Sequence, residues 1–348
     1  MFNHFITTKI MKKNFYFGAL LFSAVGFVSC SSDDDSSNNG GSNNPDTELF
    51  ASSNTSGTIS YTDLTATSPV ARYFTIGSAD SDGIYFNDDT NEVFVASRTN
   101  NRLEVYGNFR EALAGTGSTL TMTSSTTTGD FTNAREIAVS GSRVLVVQDQ
   151  SDANGLQNKI FVYQRSNSGF TLEKTFNVAF KLWGIHIEDG NLFVVEDLSN
   201  RVAVFNGIFS KASGDITPDK KVAIEGLVRT HGITYDDNTM VLTDVGDATS
   251  ATDGGIVVIE NFTSTFSGTA DGGTIALANQ KRIYGSSTLL GNPVDVSFDD
   301  DTNRIYVAER LNGGGQVLTF AYPTGAQVNV APIASRLEPG VTGIYLRD

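Results

Sequence analysis

From residue 48 onward the chain alternates short apolar runs with clusters of Asp, Asn, Gly and Thr. Runs such as VFVAS, VLVV, LFVVED and RVAVF have the length and the β-branched, aromatic content of strands, and the clusters between them carry the residues that tight reversals need. One phrase recurs. FNDDTNEVFVASRTNNRLEVY begins at Phe86, and FDDDTNRIYVAERLNGGGQVLTF begins at Phe298. Between them the pattern returns as EIAVSGSRVLVVQDQ from Glu136, GIHIEDGNLFVVEDLSNRVAVF from Gly184 and GITYDDNTMVLTDV from Gly232. Aligned on Gly83, the equivalent positions are Gly83, Glu136, Gly184, Gly232, Asp295 and Gly343, at intervals of 53, 48, 48, 63 and 48 residues. A 48-residue module with two insertions accounts for all of them.

Each module contains a first strand, a polar turn, a second strand, a loop, a third strand and a more variable fourth, the pattern of a propeller blade. The runs are apolar on both sides of the strand, as expected where blades stack face to face. Solenoid stacking would bury such faces too, and the two ends of the repeat decide between them. The stretch LFASSNTSGTISYTD from Leu49 reads as a second strand, loop and third strand, ARYFTI follows as a fourth, and the chain ends on TGIYLRD, a first strand with nothing after it. Joined, the two fragments make a sixth blade and hide both sheet edges. The expectation is an all-β, six-bladed β-propeller of four-stranded antiparallel blades over residues 48–348, closed by the C-terminal strand pairing with the N-terminal blade strands.

Charge and cysteine content narrow the partners. The net charge is −15, and because Lys9, Lys12 and Lys13 are the only charged residues before Cys30, the chain from Cys30 carries 21 Lys and Arg against 39 Asp and Glu, a net −18. Such a surface repels a phosphate backbone, so nucleic acid is not an expected partner. Cys30 is the one cysteine, which excludes disulfides, thiolate metal sites and a cysteine nucleophile from the propeller.

That cysteine belongs to an address label. Lys12 and Lys13 precede FYFGALLFSAVGFV, an apolar stretch too short for a comfortable membrane span, and residues 1–29 read as a signal peptide; a start at Met11 gives its more ordinary form. The ending FVSC resembles a bacterial lipobox, with Phe27 in place of the usual Leu, and by that resemblance Cys30 is lipidated. Residues 30–47, SSDDDSSNNGGSNNPD and its flanks, are too polar to fold and read as a tether. Asp33, Asp34 and Asp35 either solvate that tether or, by their similarity to the export signal of surface lipoproteins in Bacteroidetes, place the protein on the outer face of the outer membrane.

No short catalytic motif is present: no G-x-S-x-G, H-E-x-x-H, P-loop or G-x-G-x-x-G. Candidate chemistry therefore comes from ring geometry. First strands are innermost in a propeller, and their entrance residues converge on the channel mouth. The residues before each aligned position form one ring, Asp82, Arg135, Trp183, His231, Val294 and Thr342. Of these, Trp183, His231, Arg135 and Asp82 are the ligand-binding candidates, Trp183 as a platform for a sugar or aromatic ring. The aligned positions form a second ring, in which Glu136 and Asp295 interrupt four glycines from opposite blades. With a nearby amide such as Asn292 they could hold Ca²⁺ or another divalent cation, or orient a polar ligand; a local ion pair between Glu136 and Arg135 is the simpler alternative. His186, within GIHI, reads as a core histidine, and Asp149, Asp197 and Asp244, each ending a second strand, read as loop caps.

The modules, with G-I near the start, V-A-S or V-E-D in the middle and N-R-V-A-V-F at the end, resemble NHL-type repeats over Leu49 to Asp348. The resemblance implies architecture more than activity. One reading that follows is a surface-anchored binding or scaffold propeller that recognises a glycan, peptide or partner outer-membrane protein, its faces enlarged by insertions at Ser151–Asn158 and Gly246–Gly255. The other is a divalent-metal-dependent hydrolase or lactonase with Glu136, Asp295 and Asn292 at the ion and His231 as base, although the early glutamate motif of the sugar lactonases is missing.

Overall fold

The computed structural model describes residues 47–347. The expected signal peptide, Cys30 and the tether to residue 46 lie outside them. The described residues form six sheets, and their innermost strands are Ser81–Asn87, Ala134–Ser140, Leu182–Glu188, Thr230–Asp236, Pro293–Asp299 and Val341–Arg347, which define blades one to six. Each inner strand packs against the next, and that of blade six packs against that of blade one. The chain is a six-bladed β-propeller.

Closure runs through blade six. Val341–Arg347 pairs antiparallel with Glu48–Ser53, from Glu48 opposite Arg347 to Ser53 opposite Val341, and Thr58–Asp63 and Arg72–Thr75 complete the sheet. The buried Glu48 carboxylate fastens this seam. It accepts hydrogen bonds from Arg110, from Arg347 at 3.3 Å and from the Tyr61 hydroxyl at 2.7 Å. Both sheet edges that an open array would expose are thereby paired.

Two features go beyond the sequence pattern. Blades two, three and four each carry a fifth strand of two residues, Gly214–Asp215, Thr274–Ile275 and Gln327–Val328, which is lent by the following blade and pairs parallel to the outermost strand. The expectation of four strands throughout therefore holds only for blades one, five and six. Short helices Phe109–Ala114 and Phe262–Gly268 follow the third strands of blades one and four, each preceded by an asparagine in the left-handed region, Asn108 and Asn261. Their phenylalanines plug the space between blades: Phe109 lies within 5.2–5.4 Å of the rings of Phe50, Tyr61, Phe74 and Phe86.

The core lies between blades. Ile84, Phe86, Val93 and Val95 of blade one pack on Phe50 and Ile59 of blade six, and analogous clusters fill the spaces between the other neighbours. This double-sided burial is the reason for the continuous apolar runs.

Candidate functional site

Every inner strand carries one extra residue against its partner, next to the aligned ring position: between Asp82 and Ile84, Ala134 and Ile137, Leu182 and Ile185, Thr230 and Ile233, Pro293 and Asp295, and opposite the step from Ser52 to Ser53. A bulge re-aims side chains, so two successive rings meet at the channel where strict alternation would send one of them away. Past the bulge alternation resumes, and the residues two positions beyond the aligned ring, including Tyr85, His186, Thr234, Ser297 and Tyr345, turn to the channel as well.

The aligned ring is crowded. A Cβ on Gly184 would sit 2.2 Å from the His231 carbonyl oxygen, and one on Gly232 would sit 2.7 Å from Asp295 Cα, so these blades meet backbone to backbone. Glu136 and Asp295 occupy the same level. Asp295 is held by two backbone donors, Val296 N–H at 2.8 Å and Ile344 N–H at 2.7 Å, and Glu136 Oε1 accepts from Ile137 N–H at 2.8 Å. Burial pushes Asp295 up to about 7 despite those donors. Burial, and then the charge of Asp295, raises Glu136 well above the ordinary range. The donors favour the charged form of Asp295, so of the two it takes the charge first.

These two carboxyl groups line a cavity of about 240 Å³ that extends toward the far end of the inner strands, where the strands leave the channel. Its walls include Tyr85, His186, Tyr235, Ser297 and Tyr345. Tyr85 and Tyr345 have ring centroids 4.7 Å apart, and His186 Nε2 lies 3.8 Å from Glu188 Oε2, beyond hydrogen-bond length. His186, expected in the core, is half-buried on this wall.

The entrance ring is built differently. Arg135, Trp183 and His231 come from three successive blades and stack: the guanidinium carbon is 3.9 Å from the indole centroid, and the imidazole lies 3.6 Å from it at an interplanar angle of 5°. With Arg135 on one side and His231 on the other, neither indole face is open to a ligand. Trp183 and His231 do not line the cavity that holds Glu136 and Asp295, so the proposed ligand and metal residues divide between two levels.

Buried carboxylates lock the stack. His231 Nε2 lies 3.0 Å from Asp197 Oδ1, which also accepts from Arg229 Nε at 2.7 Å and from Leu198 N–H at 2.6 Å, and Lys181 Nζ is 3.1 Å from Oδ2. Arg135 reaches Asp149 at 3.2 Å and Asp82 at 3.7 Å, and Asp82 pairs with Arg98 at 3.4 Å. Burial raises Asp82 to about 6, opposed by Arg98, Arg135 and Arg310. Burial also opposes the Asp197 charge, but the hydrogen bonds from His231 and Arg229 outweigh it and hold this carboxyl well below its usual range. Asp244 is the loop cap the sequence suggests, accepting from the N–H groups of Val228, Arg229 and Gly246. Asp197 both caps its loop through Leu198 N–H and anchors cations, while the Asp149 side chain binds cations alone.

A cation site would need more than the pair. Asn292 donates its N–H to Glu309 and its Oδ1 is buried without a partner, away from the cavity walls. Among the described residues no three His, Cys, Asp or Glu side chains come together as a metal-binding group. The Glu136–Asp295 pair thus fits a polar ligand group better than a divalent ion.

No protein-family model matches the chain. No curated protein matches it in sequence. Among solved structures, a chain of the nidogen/laminin complex is similar at 13% identity and a TM-score of 0.58, over 86% of this chain and 98% of that one. A protein of unknown function from Bacteroides caccae is similar at 8% identity and a TM-score of 0.57, over 87% and 99%. At these identities the similarity is one of fold.

Proposed function

We propose that this is a surface-tethered binding propeller that takes the terminal sugar of a glycan in the cavity at the strand-exit end of its channel. The observation that carries the reading is the composition of that cavity. A floor made by two buried carboxyl groups, both held above their ordinary range, can supply a donor and an acceptor for hydroxyl groups, and Tyr85 and Tyr345 supply flat apolar faces for the C–H side of a sugar ring. At about 240 Å³ the space falls below the ~300–1,000 Å³ of drug-sized pockets, which suits one sugar residue or a group of that size. The signal-like residues 1–29, the lipobox-like Cys30 and the tether to residue 47 support an address on the outer face of the outer membrane.

Glycan-array binding by the mature chain tests the ligand class. A hit should weaken at least roughly tenfold on Tyr85→Ala or His186→Ala, a loss of about 1.4 kcal/mol, with circular dichroism confirming an intact fold. Flat arrays, or hits indifferent to both changes, would remove the reading. For the address, Cys30→Ala should abolish lipid labelling and surface protease sensitivity on intact cells; labelling that persists refutes it.

A further inference from the structure

The acids buried at the entrance ring each have a cation beside them. Asp82 is paired with Arg98 and Arg135, Asp149 with Arg135 and Lys181, and Asp197 with Arg229 and Lys181. The floor of the cavity at the other level is built without one. Asp295 is held by two backbone N–H groups and Glu136 by one, and none of the residues that line the cavity is Lys or Arg. Arg347, at the end of the blade-six inner strand, is tied instead to Glu48 and Asp88. The basic side chain on the wall is His186, whose Nε2 lies 3.8 Å from Glu188 Oε2 and is buried without a hydrogen-bond partner. Asp236, which accepts from Asp300 N–H at 3.3 Å, adds a third acid to the lining. Burial, with no cation to offset it, holds both floor carboxyl groups above their ordinary range.

The missing positive charge is one that a guest can bring. A calcium ion takes about six to eight oxygen ligands, more than this floor offers, but an ammonium group has three donors and is satisfied by one or two carboxylates. The walls suit the same group. Tyr85 and Tyr345, with ring centroids 4.7 Å apart and planes at 59°, present π faces that attract cations.

We propose that the sugar taken by this cavity is an amino sugar with a free amino group, its ammonium seated on Glu136 and Asp295 and the C–H side of its ring on Tyr85 and Tyr345. This rests on the glycan reading and narrows it to a cationic residue. An N-acetylated sugar would bring a neutral amide that leaves the acids uncompensated, and a uronic acid would bury a third like charge against them.

The test is an array of matched glycans in the gluco, galacto and manno series. Members of each set differ only in whether the terminal residue carries a free amine, an N-acetyl group or a hydroxyl, and calorimetry near pH 7 follows on the tightest set. The free-amine member should bind at least roughly tenfold tighter than its two counterparts. The double variant Glu136→Gln, Asp295→Asn keeps the shape of the floor and removes its acid, and it should bind all three alike. Glu136→Gln alone leaves the backbone bonds of Asp295 in place, so it reports even if the double variant does not fold, and it should narrow the preference at least roughly threefold. An amine preference that survives unchanged in either folded variant would come from the overall charge of −15 and overturn the proposal. Neutral members that bind as tightly as the amine, and are lost on Tyr85→Ala, would overturn it while leaving the glycan reading in place. No binding by any member removes both.

Discussion

Trp183 is the chain's single tryptophan, so its emission reports on one place, the stack between Arg135 and His231. The Asp197 carboxylate fixes the imidazole tautomer with the proton on Nε2 and leaves Nδ1 buried without a partner. A second proton would have to go to Nδ1, where no acceptor waits. Burial therefore depresses His231 to about 4, even though Asp197 pulls the other way. The gap from 6.5 to about 4 corresponds to roughly 3 kcal/mol of discrimination against the imidazolium. An imidazolium quenches indole emission more strongly than an imidazole, so a pH titration of Trp183 fluorescence should break near pH 4, with far-UV circular dichroism showing the protein still folded there. His231→Phe keeps a ring on the indole and should erase the break. The linkage has a definite sign. Between pH 6.5 and 4 the unfolded chain holds the proton that the folded chain refuses, so stability is full above pH 6.5 and falls by roughly 3 kcal/mol toward pH 4. A fluorescence midpoint between pH 6 and 7 in the folded protein would refute the account of the stack.

The acid pair predicts the opposite slope at higher pH. Asp295 and Glu136 hold protons that the unfolded chain has released, so their ionisation costs stability as pH rises from about 4 through 7, and Glu136→Gln should be roughly 1–3 kcal/mol more stable than the parent at pH 8 with little difference at pH 5. Urea unfolding at the two pH values reads this directly, and equal differences at both would contradict it. Phe50→Ala empties a fully buried site stacked 4.7 Å from Phe86 and should cost about 3–5 kcal/mol; a melting temperature near the parent's would mean the blade-six seam is not held as described. A stop codon after Gly340 removes the inner strand of blade six and bares the Glu48–Ser53 edge, so the truncated chain should aggregate or unfold, and a soluble, cooperatively melting product would argue against closure.

The ring and its closure were legible because both are written as spacing. The 48-residue interval and the two half-blades at the ends depend on strand order alone, and strand order survives any choice of side chain. The two-residue strands lent between neighbouring blades, such as Thr274–Ile275, have no period to read. Likewise the helices at Phe109 and Phe262 are shorter than two turns, and only the repeated Asn-Phe step marks them. Leu156, Leu198 and Leu289, whose backbones are left-handed, look like ordinary loop residues until their φ angles are known.

The candidate site was half legible for a more specific reason. The sequence pattern directs both the aligned position and the residue before it to the channel, and the bulge in every inner strand makes that so. What a single chain position cannot convey is which neighbour fills the space beside it. Trp183 reads as a platform awaiting a ligand, but blades two and four deliver Arg135 and His231 to its two faces, and the entrance is filled by the protein's own side chains. His186 reads as core because Ile185 and Ile187 flank it, yet alternation counted from Gly184 places it toward the channel, and that count, applied to all blades, would have found Tyr85, Ser297 and Tyr345 too. The two ends of the channel differ accordingly. One is packed with the protein's own charged and aromatic side chains, and the other keeps an open space floored by Glu136 and Asp295 and flanked by Tyr85 and Tyr345.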